Sequence, residues 1–271
     1  MHPFVALLRR YVVDYTNRHD TAVCDEIMEP GYVLHMGPHE VAGRDEAYKP
    51  AAAAQFRQFP GLGLTVHELV TSGDRLALRF SEHGASQRHG GRAAAWGGLG
   101  LYRWNGSRLT ENFVEQDYLA RRRQLDTGRC DPVEPPAVAP WDTAPAPADA
   151  TAERVVRDWL AAGLPAGRAG ISCDDEPTGR PPAPLIEVRT TQVDELFSAG
   201  DRVAFHVACH GRYLGGLDGT DGRIGCEATL HLGGLVTVTG GRVVDGRLIR
   251  DRLGLQRALR QDEPAHTGSR P

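Results

Sequence analysis

Two stretches of this chain repeat each other, and the repeat limits the architectures open to it. VHELVTSGDRLALRF at 66–80 aligns without a gap on VDELFSAGDRVAFHV at 193–207, with seven of fifteen positions identical, where unrelated segments share about one. The match carries on through His83-Gly84 and His210-Gly211. A second block, 101–125, aligns on 235–259 and pairs Gly106 with Gly240, Arg108 with Arg242, Asp117 with Asp251 and Leu119 with Leu253. The offset is 127 in the first block and 134 in the second, so the second copy carries seven extra residues in a loop around GGLDGTDGRIG. The 271 residues exceed the usual single-domain size of about 100–150, and the chain reads as a duplicated domain. The expected boundaries are 1–127 for the first copy, 128–150 for a proline-rich linker, 151–262 for the second copy and 263–271 for a flexible tail.

The copies differ at their beginnings. Phe4, Leu7, Leu8, Tyr11 and Tyr15 recur at helical spacing, which predicts an amphipathic first helix. Asp20 is placed to cap a short second helix stopped by Pro30-Gly31, and YVLHM (32–36) reads as a strand. A helix around Ala51–Ala54 follows, with Pro50 in its first turn. Four strands and a closing helix, YLARRRQL, complete this copy. The second copy has one helix near 153–163, an irregular stretch, and then the strands, so it reads as a truncated version. Prolines 132, 135, 136, 140, 145 and 147 stiffen the linker, and Trp141 is expected to pin it to a domain surface. Helices followed by long antiparallel strands define an α+β class.

Composition removes several function classes. Hydrophobic residues make up 41% of the chain and the net charge is −4, so there is a core to bury and nothing that draws the protein to nucleic acid or an anionic membrane. No apolar run approaches the roughly 20 residues that span a bilayer, and the N-terminus lacks the order of a secretory signal. Five cysteines are scattered without CxxC spacing, against a disulfide framework or structural zinc. A cytoplasmic location is expected.

The first copy resembles the SnoaL-like polyketide cyclases of the nuclear transport factor 2-like, ketosteroid-isomerase-like superfamily. The resemblance rests on His35 in YVLHMGP, on Gly43-Arg44-Asp45-Glu46, on FPGLGLTVHELVTSGDRLALRF, and on Tyr102-Arg103 followed by Ser107 to Phe113 and Asp117. It covers nearly all of 1–125 and, in the second copy, mainly 193–260. It implies two tandem cone-like domains, each a curved antiparallel sheet wrapped over helices around an apolar cavity, the second lacking part of its helical lid. It also implies that the second copy supplies, within one chain, the sheet through which such domains dimerise, and a homodimer of whole chains in addition is compatible with that.

The last strand of the first copy carries Glu111, Phe113, Glu115 and Asp117 in alternation, so all four project to one face. If that face lines the cavity, desolvation raises the pKa of Asp117 into the range of a general acid–base catalyst, the role that the resemblance assigns to it. The competing reading makes Asp117 the cap of the following helix. His35 is placed to orient a carbonyl or share a proton with Asp117; the plain reading is a backbone-bonded histidine. Glu111, Phe113, Trp96 and His83 are candidate substrate contacts, with ordinary core packing the alternative for Trp96 and solvation that for His83. No metal site is expected: His206 and His210 lie roughly 13 Å apart along an extended strand, too far for one zinc. No phosphate or dinucleotide fingerprint is present, so no cofactor is expected. The resemblance, with these residues, implies a cofactor-independent cyclase or isomerase of secondary metabolism, closing a ring on a polyketide-like small-molecule substrate by an aldol-type step. The alternatives are a non-catalytic binding or assembly protein of this fold and an epoxide-opening hydrolase, which needs an Asp–Arg–Asp set.

Overall fold

The computed structural model describes residues 1–163, 170–176 and 183–261; the expected tail at 263–271 and part of the irregular stretch after the helix expected near 153–163 lie outside the described residues. Helical spacing buries Phe4, Leu7 and Leu8 on one face of α1 (Pro3–Arg10), capped by His2 Nδ1, which accepts from the Phe4 amide at 3.3 Å. The helix widens into a π turn, Tyr11–Thr16, that buries Val12 and Tyr15. Asp20 caps the turn leading into α2 (Cys24–Ile27), accepting from the Ala22 amide at 3.0 Å. The chain is already extended at Met28: β1 runs Met28–Met36 and includes Pro30 and Gly31. Its pairing is interrupted between Met28 and Val33, and that irregularity accommodates a proline without a backbone donor.

The first sheet adds β2 (His39–Ala42), β3 (Gly63–Ser72), β4 (Arg75–Ser86), β5 (Arg92–Trp104) and β6 (Leu109–Gln116), in the order β2-β1-β6-β5-β4-β3. Only β1 and β6 run parallel. Register shifts at Val66/Glu68 and Arg103/Trp104 bend and twist the strands, as bulges do. The helices, with α3 (Lys49–Gln58), cover one face, and α4 (Tyr118–Thr127) follows β6.

The second sheet follows α5 (Ala150–Ala161). It comprises β7 (Ile171–Cys173), β8 (Ile186–Ala199), β9 (Arg202–Tyr213), β10 (Glu227–Thr239) and β11 (Arg242–Arg250), ordered β7-β11-β10-β9-β8, and α6 (Arg252–Gln261) closes it. β7 lies parallel beside β11 as β1 lies beside β6. β4 and β9 each run twelve residues, and α4 and α6 each run ten. Val156 and Leu160 of α5 pack on Phe205, Val207, Leu232 and Leu248 on one face of this sheet.

The opposite faces of the two sheets pack on each other. Ala77, Leu99, Leu101 and Phe113 meet Phe197, Ala204, Leu235 and Ile249 in one buried cluster. Charged pairs ring it: Glu195 with Arg75 and Arg103, Glu68 with Arg202, and Glu115 with His206. The proline-rich segment runs along β3, where the Ala137 and Ala146 amides donate to the carbonyls of Val66 and Thr71 at 2.8 and 3.0 Å. Trp141 packs against the first core. Among the described residues, no helix is long and apolar enough to cross a membrane.

Candidate active site

Strand alternation decides which side chains see the space beneath the helices. On β4, Leu76, Leu78 and Phe80 enter the first core, and Glu82 continues the same parity. On β6 the residues of that face are Asn112, Val114 and Gln116; on β1, Leu34 and Met36. Tyr11, Tyr15, Tyr48, Gln55 and Phe56 close the other side, and together they bound a cavity of about 150 Å³.

Glu82 is the carboxylate of this cavity. It is 6% exposed, and Gln55 Nε2 donates to its Oε2 at 2.9 Å. Burial pushes its pKa up to about 7, against the opposing pull of Arg121 and of the Gln55 bond. Arg121 is held nearby, its guanidinium 4.0 Å from the centre of the Tyr118 ring and 5.0 Å from that of Trp96, a cation–π placement. Around Glu82 stand neutral phenols. Tyr11 and Tyr48 are hydrogen-bonded oxygen to oxygen at 3.1 Å. Burial and neighbouring tyrosines hold both hydroxyls well above their usual pKa, and Tyr15 and Tyr102 are also raised, chiefly by burial. The Asn112 Oδ1 atom is buried without a partner. A carboxyl group that is half-ionised near neutrality, among phenol donors and apolar walls, can take a proton from carbon and return it while an oxyanion is stabilised.

The residues expected from sequence, Trp96 apart, lie elsewhere. Glu111, Phe113, Glu115 and Asp117 do share a face, but it is the face turned to the second sheet, because Asn112, Val114 and Gln116 take the cavity side. Asp117 therefore does not line the cavity. It caps α4 by accepting from the Ala120 amide at 3.0 Å, and it pairs with Arg252. Its pKa is lifted to about 6 by burial and by the Asp174 carboxylate, with Arg252 pulling the other way. Asp117, Arg252 and Asp174 do form an Asp–Arg–Asp set, with Arg252 Nε 3.0 Å from Asp174. Asp117 and Asp174 edge a cleft of only about 60 Å³, and the arginine is spent on ion pairs there.

His35 Nε2 lies 2.9 Å from Glu111 Oε1, and its ring stacks on Phe113 at 4.4 Å between centroids. It shares no proton with Asp117. Glu111 also accepts from Arg103 Nη1 at 2.6 Å, and Phe113 is part of the inter-sheet cluster. His83, also on the face opposite Glu82, sits over Gly63 with Nε2 3.4 Å from Thr65 Oγ1. Trp96 is on the cavity side of β5, opposite in parity to Asp117; it packs on Phe59 and donates from Nε1 to Gln116 Oε1 at 2.7 Å, orienting a cavity residue. His206 and His210 point to separate partners: Glu115 and Asp194, each at 2.9 Å, and Thr229. Among the described residues, no three His, Cys, Asp or Glu side chains are grouped to hold a metal. Glu82 is the residue that sequence reasoning missed. Its signal was available in RLALRFSEHG, where Leu76, Leu78, Phe80 and Glu82 alternate, so a carboxylate ends a row of core positions.

Residues 6–125 match the family model described as SnoaL-like polyketide cyclase. Among solved structures, a candidate SnoaL-like polyketide cyclase from Jannaschia sp. CCS1 is 20% identical over 45% of this chain and 90% of its own, with a TM-score of 0.42. AclR, a candidate hydroxylase from Streptomyces galilaeus, is 21% identical over 45% and 94%, with a TM-score of 0.40. Wild-type IdmH, a candidate polyketide cyclase from Streptomyces antibioticus, is 21% identical over 46% and 99%, with a TM-score of 0.41. No curated protein sequence matches this chain.

Proposed function

We propose that the first module is a cofactor-independent cyclase or isomerase in which Glu82 moves a proton on a carbonyl substrate. The observation that carries this reading is Glu82 itself: a buried carboxylate in a tyrosine-walled cavity, with its pKa raised to about 7 by burial. A base with a pKa near the working pH is available in both protonation states. It can abstract a proton beside a carbonyl and then protonate the carbon or alkoxide formed, while a tyrosine hydroxyl donates to the oxyanion. Asp117 has no part in this proposal. The second module is a shortened copy of the first that serves as its built-in sheet partner. The equal lengths of β4 and β9 and of α4 and α6, together with the face-to-face packing, support that assignment.

The test uses 3-cyclohexenone, whose conversion to the conjugated enone is followed by ultraviolet absorbance. Glu82→Gln should lower kcat/KM by about 10²–10⁴-fold, the usual range for losing a general base, with the fold retained by circular dichroism. Turnover unchanged in Glu82→Gln would remove the proposal and leave the cavity as a binding site.

A further inference from the structure

Resting on the reading that this cavity is the reaction site, we propose that its substrate is a single-ring carbonyl compound of roughly six to ten heavy atoms, held by its oxygen against the Tyr11–Tyr48 hydroxyl pair. A void near 150 Å³ takes one benzene, and this cavity has that volume. Fused polycyclic skeletons exceed it.

The small volume has a structural cause. Gly98 and Gly100 leave gaps on the cavity face of β5, and aromatic rings fill both. A Cβ on Gly98 would lie 2.4 Å from Phe80 Cζ, and one on Gly100 would lie 2.8 Å from Tyr102 Cε2. These rings plate the sheet and use the depth that a larger ligand would need. Phe56 of α3 closes the opposite wall and stacks on His19 with centroids 4.2 Å apart.

The polar groups define the rest of the ligand. In the Tyr11–Tyr48 pair one hydroxyl donates to the other; the second O–H has the Tyr15 and Tyr102 oxygens as neighbours and meets a carbonyl or enolate oxygen by turning from them. Glu82 and the unpartnered Asn112 Oδ1 are acceptors. They suit a ring that presents an acidic C–H to one and a hydroxyl or enol to the other. In the implied step, the carboxylate of Glu82 takes a proton from the carbon beside the carbonyl. The C–H electron pair becomes the enolate double bond, and the same proton returns to a carbon of the ring. Nothing is oxidised or reduced.

Titration calorimetry of the full chain with 4-methylphenol, 2-naphthol and 2-anthrol, three enol mimics of increasing size, tests the assignment. The expected result is one site for 4-methylphenol, at least tenfold weaker binding of 2-naphthol and no binding of 2-anthrol. Phe56→Ala should cut the preference for 4-methylphenol over 2-naphthol by tenfold or more, and Ala52→Leu should weaken 4-methylphenol by a similar factor. Equal or tighter binding of 2-anthrol, no binding of any of the three, or a preference unmoved by both folded variants would overturn it. The readout is binding alone, so it separates from the acid–base proposal: a ring-size limit that persists in a fully active Glu82→Gln variant would sink the role of Glu82 and keep the size class.

Discussion

Both carboxylate oxygens of Asp117 accept hydrogen bonds from Nη2 of Arg252, at 2.7 and 2.6 Å. The two residues open α4 and α6, the closing helices of the two modules, so the pair ties one module to the other while Asp117 caps its own helix. Asp117 is buried and Arg252 largely so, at 4% and 11% side-chain exposure, and removing one partner leaves an uncompensated charge. Arg252→Met should cost about 3 kcal/mol in urea unfolding. The double variant with Asp117→Asn should recover part of that loss, and strictly additive losses would show that the pair is not coupled. Asp117→Asn should leave ligand binding in the first module's cavity unchanged.

Glu82 should shape stability against pH as well as rate. Its folded pKa of about 7 is above the ordinary 4.5, so the folded state favours the protonated form. The associated stability is complete below about pH 4.5 and is lost as pH rises through 7. Glu82→Gln, which imitates the neutral acid, should therefore gain on wild type as pH increases, by on the order of 3 kcal/mol at pH 9. The same group as a base makes kcat/KM rise through pH 7. Parallel stability curves for wild type and Glu82→Gln between pH 4 and 9 would contradict the shift.

His206 predicts a second pH dependence, at the joint between the sheets. Burial opposes its charge, but its bonds to Asp194 and Glu115 prevail and raise its pKa to about 9. Glu115 Oε1 also accepts from the Gly37 amide at 2.8 Å, so the charged pair holds the turn after β1. The stability it contributes is fully present below about pH 6.5 and lost as pH rises through 9. The window overlaps that of Glu82, so the measurement is a difference curve: wild type minus His206→Phe should fall by on the order of 2 kcal/mol between pH 6.5 and 9.5. A flat difference would mean that the imidazole is neutral throughout.

Phe113 tests the packing between modules. Its ring lies between His35 and His206, with centroids 4.4 and 5.6 Å away, inside the inter-sheet cluster. Phe113→Ala should lower stability by about 3 kcal/mol without altering the affinity of 4-methylphenol. A change in that affinity comparable to the stability loss would place the ring in the binding site instead.

Local pattern alone settled much of the chain. Apolar spacing in Phe4, Leu7 and Leu8 marked α1, Pro50 sat in the first turn of α3, and the long strands followed their alternation. Alternation also put Glu111, Phe113 and Glu115 of β6 on one face with Asp117 just beyond its end, and that grouping is the one observed. Which face encloses the cavity was a tertiary matter. In β4 and β5 both faces are buried, one under helices and one against the second sheet, and a period of two looks the same from either side. The partner of Asp117 comes from 135 residues away, beyond any local signal. Burial of Glu82, and with it the chemistry proposed here, arises from helices packed over its strand: a carboxylate's pKa depends on the solvent that surrounding elements exclude.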